Sequence, residues 1–166
     1  MTVEQVKSLE EAMRLAIEQS MLVKGTTYPN PPVGAVIVDQ EGWVVGIGGT
    51  QPSGGDHAEV VALRKAGGLA AGAIAVVTME PCNHFGKTPP CVNALIEARV
   101  GTVIYGVADP NGIAGGARAA VGRRPAGAIR RAGRSCGGRT VAGVAAQAAH
   151  RVAACDLEVR HEYRWP

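Results

Sequence analysis

Aromatic side chains are scarce in this chain of 166 residues, which holds two tryptophans, three tyrosines and one phenylalanine. They form no run of stacking residues, and this weakens any assignment as a platform for single-stranded nucleic acid. The longest apolar stretch, residues 69–79, includes a glycine and is too short to span a bilayer, and the sequence shows no export signal. We therefore expect a soluble cytoplasmic protein of one domain with, at most, a tail.

Cysteine is also infrequent, with four residues in the whole chain. In a chain without an export signal, so few cysteines argue for thiol, metal or catalytic use rather than for a disulfide framework. Their positions along the sequence must decide between those uses.

Lysine is absent after residue 115, although residues 116–166 contain ten arginines and only three acidic residues. Residues 1–115 carry seven basic and eleven acidic residues, so the two parts have net charges of −4 and +7. Leu, Ile, Val and Phe together make up seven of the last 51 residues, below the roughly 20% at which a charged segment is expected to build a core. We expect a folded domain over residues 1–115 and a poorly ordered Arg/Ala/Gly-rich tail over 116–166.

The first 115 residues show alternating helix and strand patterns. Thr2 and Gln5 form a capping-box pattern before a helical apolar repeat, which predicts a helix of about 20 residues that ends at Gly25. Further patterns predict a hairpin of strands 33–38 and 43–48, helix 57–66, strand 73–79, helix 91–98 and strand 102–107. This order predicts an α/β sandwich whose mixed sheet is antiparallel at the hairpin and parallel afterwards.

Four residues with metal and proton chemistry lie at the ends of these predicted elements. His57 and Glu59 open a helix, Cys82 follows a strand, and Cys91 begins the next helix. One imidazole and two thiolates suit tetrahedral Zn²⁺, and three protein ligands leave the fourth position open for water, as in catalytic zinc sites. Glu59 is placed to take a proton from that water and return it to a substrate.

The motifs are specific enough to indicate a family. H-x-E followed by P-C and a further cysteine is the signature of zinc nucleobase deaminases, although here eight residues rather than two separate the cysteines. EPCNHFGKTPPC at 80–91, with PNPPVG at 29–34, HAE at 57–59 and DPN at 109–111, closely resembles the deaminase domain of the bifunctional riboflavin-biosynthesis deaminase/reductases. The resemblance extends over about residues 10–115.

This resemblance implies a cytidine-deaminase-like, three-layer fold and zinc-dependent hydrolytic deamination of a diaminopyrimidinone ribosylamino phosphate, without the family's NADPH-dependent reduction. Glu59 would protonate the ring nitrogen and then the leaving ammonia. Family positions that line the substrate pocket are occupied by Asn30, His84, Lys87, Asp109 and Asn111. Lys87 would bind an anionic group of the substrate. Thr50 departs from the pattern, because the family usually has a histidine there.

Several alternatives remain open at the level of sequence. The zinc residues could be a structural site or buried thiols, His84 and Lys87 could be ordinary loop residues, and 109–112 is also a good turn sequence. The Arg-rich tail could instead indicate a nucleic-acid deaminase, and the whole chain could be an inactive zinc-binding product. The remaining cysteines and histidines match no zinc pattern and are expected to be incidental: Cys136, His150, Cys155 and His161.

The tail has the composition of a GC-rich gene read out of frame. Codons for residues 143–166, read one nucleotide later, permit the string AWLHKQRTALPHVTWKYATSIDGR, which resembles the family's linker and the start of its reductase domain. We therefore expect a frame slip near codons 114–118. The last strand of the deaminase sheet would then be missing or non-native, leaving strand 102–107 as an exposed edge prone to self-association, with marginal stability and reduced activity.

Overall fold

The computed structural model describes residues 4–110 and the strand at 128–131. Its elements follow the chain as α1 (Leu9–Leu22), β1 (Gly34–Val38), β2 (Val44–Gly49), α2 (Ala58–Ala66), a 3-10 turn (Gly67–Ala70), β3 (Ile74–Met79), α3 (Cys91–Glu97), β4 (Thr102–Val107) and β5 (Ala128–Arg131). The strands form one sheet in the order β2-β1-β3-β4-β5.

The sheet is mixed, as the sequence predicts. β1 pairs antiparallel with both β2 and β3, whereas β3 pairs parallel with β4. Because β3 and β4 are parallel, their carboxyl ends lie at the same edge of the sheet. The loops that follow both strands therefore emerge side by side.

Helices cover both faces of the sheet, which confirms the three-layer arrangement. On one face, α1 packs on a cluster that includes Val36, Val38 and Val76. On the other, α2 and α3 pack on a cluster that includes Ile37 and Val77. Alternate residues of β1 and β3 supply the two cores, because successive strand side chains point to opposite faces.

The start of α1 differs from the prediction. The helix begins at Leu9 rather than near Thr2, and the Ser8 hydroxyl caps it by accepting from the Glu11 N–H at 3.3 Å. The preceding residues run beside the β1–β2 hairpin, where Gln5 bridges to Trp43. Pairing with the hairpin thus replaces the first predicted turns of the helix.

Glycines allow the helices to lie unusually close to the strands. A Cβ built on Gly34 would lie 1.9 Å from the carbonyl oxygen of Ala16 in α1. On the opposite side, a Cβ on Gly48 would lie 2.4 Å from the carbonyl oxygen of Ala58 in α2. No side chain fits at either distance, so only glycine permits this backbone approach.

The expectation that β4 is an exposed edge is wrong. β5 pairs with β4 in parallel, with Thr102 opposite Ala128 and Tyr105 opposite Arg131. A parallel ladder uses backbone N–H and C=O groups, which almost any sequence without proline can offer, so a segment without an apolar pattern can still complete the sheet. The proposed basis for self-association through β4 is thereby removed.

The rest of the predicted tail, including Cys136, His150, Cys155 and His161, lies outside the described residues. Among those that are described, no helix is both long and apolar enough to cross a membrane.

Candidate metal centre and active site

Three potential metal ligands converge where α2 and α3 begin. His57 is the N-cap residue of α2, Cys82 lies in the loop after β3, and Cys91 is the first residue of α3. One donor atom from each lies within 4.8 Å of the others. Both cysteines are buried free thiols, and His57 is half-buried. Within residues 4–110 and 128–131, this is the only such group of three or more His, Cys, Asp or Glu side chains.

The distances between these donors match a tetrahedral zinc site. Tetrahedral bonds of ordinary length place two sulfurs about 3.8 Å apart and a nitrogen and a sulfur about 3.6 Å apart. The two Sγ atoms are 3.5 Å apart, and His57 Nδ1 lies 3.2 Å from Cys91 Sγ and 3.6 Å from Cys82 Sγ. The three residues therefore fit Zn²⁺ with little rearrangement, and Nδ1 is the histidine atom that faces the metal position.

The hydrogen bonds among the three donor residues also favour the binding of a cation. The hydrogen bond from the Cys91 side chain lowers the pKa of the Cys82 thiol to about 4, and the backbone N–H of Cys91 donates to the same sulfur at 3.4 Å. The same thiol pairing, together with burial, raises the pKa of Cys91, and the bond to Cys82 raises the pKa of His57. These hydrogen bonds favour the thiolate form of Cys82, and the thiolate is the form of cysteine that binds Zn²⁺.

Glu59 lies in the first turn of α2, two residues after His57, and is 4% exposed. Burial raises the pKa of its carboxyl group. Burial of a carboxyl group is costly, so Glu59 beside the three donor residues is a candidate functional group.

The predicted substrate residues are described in part. The exposed Lys87 donates from Nζ to Ser53 Oγ at 2.9 Å, which joins the 83–90 loop to the loop before α2. The backbone N–H of Asp109 donates to a Glu80 carboxylate oxygen at 3.3 Å. The Glu80 N–H in turn donates to the Val107 carbonyl at 2.8 Å, so Asp109 is held at the carboxyl end of the sheet.

Of the other predicted substrate residues, the structure describes Asn30 and His84. A hydrogen-bonded turn with Thr27 holds the backbone of Asn30. His84 has a buried Nδ1 atom without a hydrogen-bond partner. Asn111 lies outside the described residues. Thr50 is buried, and its hydroxyl accepts from the Val33 N–H at 3.1 Å, so its hydrogen-bonding capacity is used within the fold.

Sequence reasoning assigned no role to two residues that the structure places at the site. Glu80 supports Asp109 as described above, and Thr88 Oγ1 lies 3.4 Å from His57 Nε2. Both residues belong to the 80–91 string, so the motif contained them. The spacing of the motif, however, does not reveal which atoms they contact.

Zinc-dependent deaminases have one histidine, two cysteines and a glutamate around their metal. This α/β sandwich holds the same set of residues where α2 and α3 begin, and its glutamate is buried. The family model for the cytidine and deoxycytidylate deaminase zinc-binding region matches residues 6–107. The chain therefore belongs to this family, and His57, Cys82 and Cys91 are positioned to hold a metal ion. Within the family, it carries a deaminase domain of the RibD type.

The relatives support this narrower placement. The chain is 83% identical over 116 residues to the riboflavin biosynthesis protein RibD of Mycobacterium tuberculosis (strain CDC 1551 / Oshkosh), covering 70% of this chain and 34% of the relative. It is 52% identical over 99 residues to the diaminohydroxyphosphoribosylamino-pyrimidine deaminase of Buchnera aphidicola, covering 60% of this chain and 67% of the relative. The solved structure of Acinetobacter baumannii RibD, form 1, superposes with a TM-score of 0.68 at 36% identity, covering 84% of this chain and 38% of that one. The chain thus spans about a third of the length of its RibD relatives.

Proposed function

We propose that this chain deaminates a diaminopyrimidinone ribosylamino 5′-phosphate by hydrolysis, in riboflavin biosynthesis. The observation that carries the proposal is the buried Glu59 beside the His57, Cys82 and Cys91 donors. The 52% identity to a protein named as a diaminohydroxyphosphoribosylamino-pyrimidine deaminase supports the choice of substrate.

The metal would be held by His57 Nδ1 and the two cysteine sulfurs. When bound, zinc supplies a Lewis acid that makes water a nucleophile near neutral pH. The two thiolates offset the charge of the ion and leave a coordination position free of protein ligands.

Glu59 moves the protons of the reaction. Its carboxylate accepts the proton that the attacking water loses and gives it to the ring nitrogen. It then takes the proton of the hydroxyl group newly bonded to the ring carbon, which becomes a carbonyl, and gives this second proton to the amino group that leaves as ammonia. Burial supports this sequence of transfers, because a carboxyl group with a raised pKa can hold a proton between the two steps.

The substrate is bound by residues from three loops around this centre. The Lys87 ammonium would bind the phosphate as a charged donor. The ring and sugar carry polar groups that suit the remaining proposed contacts: Asn30, His84, Asp109 and Asn111. A small phosphorylated pyrimidine, rather than a nucleic acid, is therefore the proposed substrate. The free thiols suit a reducing compartment, and we place the activity in the cytoplasm.

The test compares ammonia release by the wild type and by Glu59→Gln, with zinc content measured in both. We expect Glu59→Gln to keep zinc and to lose about 10²–10⁴-fold in turnover, the usual contribution of a general acid–base group. Glu97→Gln, at the far end of α3 from Cys91, is the matched control and should keep wild-type turnover.

An active Glu59→Gln variant would refute the role of this carboxyl group. Stoichiometric zinc in a wild type that releases no ammonia would instead favour an inactive zinc-binding product.

A further inference from the structure

The two ring nitrogens of His57 face different partners. Nδ1 is directed at the metal position, 3.2 Å from Cys91 Sγ, whereas Nε2 lies 3.4 Å from Thr88 Oγ1. Thr88 is half-buried in the loop between β3 and α3.

This division determines where the ring proton must be. A histidine nitrogen binds a metal only when it is unprotonated, so a neutral ring that binds through Nδ1 carries its hydrogen on Nε2. A threonine hydroxyl can accept such a hydrogen. The described neighbour that receives the Nε2–H is therefore Thr88 Oγ1. Partners of this kind fix the tautomer and orientation of metal-binding histidines in proteins.

The loop that carries Thr88 is itself anchored. The Thr88 carbonyl accepts from the Gly86 N–H at 3.2 Å, and the neighbouring Lys87 is bonded to Ser53. Pro89 and Pro90 follow and restrict the backbone before α3. The hydroxyl is thus presented to His57 by a constrained segment, which is what a positioning group requires.

We propose that Thr88 is a positioning residue of the zinc site, whose hydroxyl accepts the Nε2–H of His57 and holds the ring with Nδ1 toward the metal. This role rests on the ligand set proposed above. Thr88 acts through His57 in this role.

The test uses the full chain with Thr88→Val, which removes the hydroxyl at nearly constant shape, and Thr88→Ser, which keeps it. Zinc affinity is measured by competition with a chromogenic chelator. Thr88→Val should weaken zinc binding about 10–100-fold, and Thr88→Ser should restore most of it. Thr102→Val, at the amino end of β4, is the matched control and should bind zinc as the wild type does.

A second measurement detects the ring proton of His57 directly. In the zinc-loaded wild type labelled with ¹⁵N-histidine, the His57 ring should carry its proton on Nε2, and that proton should exchange slowly with water. The signal is assigned by its loss in His57→Gln. Thr88→Val, or Thr88→Ala if the first variant fails to fold, should speed this exchange.

An unprotonated Nε2 in the wild type, or equal zinc affinity in Thr88→Val and the wild type, would overturn the role of Thr88 alone. Wild-type zinc affinity in His57→Gln would overturn both this role and the ligand set on which it rests.

Discussion

Substitution of Gly48 by alanine tests whether the close contact between α2 and β2 positions the active site. The added Cβ would lie 2.4 Å from the Ala58 carbonyl oxygen and 2.6 Å from the Ala62 nitrogen, both backbone atoms. An ordinary contact between carbon and oxygen is about 3.3 Å, so α2 must move by about 1 Å. Overpacking of this kind costs about 1–3 kcal/mol of the free energy of unfolding.

The displacement should also reach the metal site, because Ala58 lies between His57 and Glu59 in the chain. For a chain of this size, about 3 °C of melting temperature corresponds to 1 kcal/mol, so Gly48→Ala should melt about 3–9 °C lower. A shift of about 1 Å in catalytic groups can cost about 10²-fold in turnover. Thermal unfolding and ammonia release measure the two effects separately.

Gly68→Ala is the matched control, because a Cβ built on Gly68 meets no atom within 4 Å. Its stability should stay within about 0.5 kcal/mol of the wild type. If Gly48→Ala melted at the wild-type temperature and kept full turnover, the packing argument would be wrong. A loss of stability without any loss of turnover would show that the substitution disturbs core packing but not the active site.

Three further predictions concern the metal, the substrate and the tail. Cys82→Ser and Cys91→Ser should each lose stoichiometric zinc by metal analysis, and one tightly held zinc per chain in both variants would contradict the ligand set. Lys87→Ala should raise KM about 10–150-fold for the phosphorylated substrate, the range for a lost hydrogen bond to a charged group, and much less for its dephosphorylated form. Equal effects on both forms would exclude phosphate binding by Lys87. We propose that the chain from about residue 116 onward, including the segment that forms β5, is translated out of frame. Removal of one base near codons 114–118 of the nucleotide sequence should then open a frame through a reductase domain, and a frame that stays closed would rule this out.

The central elements could be predicted from sequence because their signals are local. The strand predicted at 102–107 matches β4, because a run of mostly β-branched and aromatic residues follows Gly101. The start of α1 could not be predicted, since Thr2 and Ser8 both offer caps. Pairing of residues 4–6 with the hairpin decides in favour of Ser8, and this is a tertiary contact.

The same distinction applies to the site. His57, Cys82 and Cys91 could be predicted because their residue types at element ends already suggest metal chemistry. The contact of Thr88 with His57 joins residues 31 positions apart, and a threonine hydroxyl has many potential partners in a folded chain. β5 is harder still to predict from sequence, because its four residues, Ala-Ile-Arg-Arg, show no alternating pattern. Only their hydrogen-bonded ladder with β4 identifies them as a strand.

The zinc donors and β5 belong to different parts of the chain. Every zinc donor belongs to a segment before α3 or to its first residue, and α2 and α3 share a core cluster with β1, β2, β3 and β4. β5 is connected to the site through β4. The Val107 carbonyl at the carboxyl end of β4 accepts from the Glu80 N–H, and the Glu80 carboxylate accepts from the backbone N–H of Asp109. A perturbation of β5 should therefore reach the backbone of Asp109, through β4 and Glu80, before it reaches His57, Cys82 and Cys91.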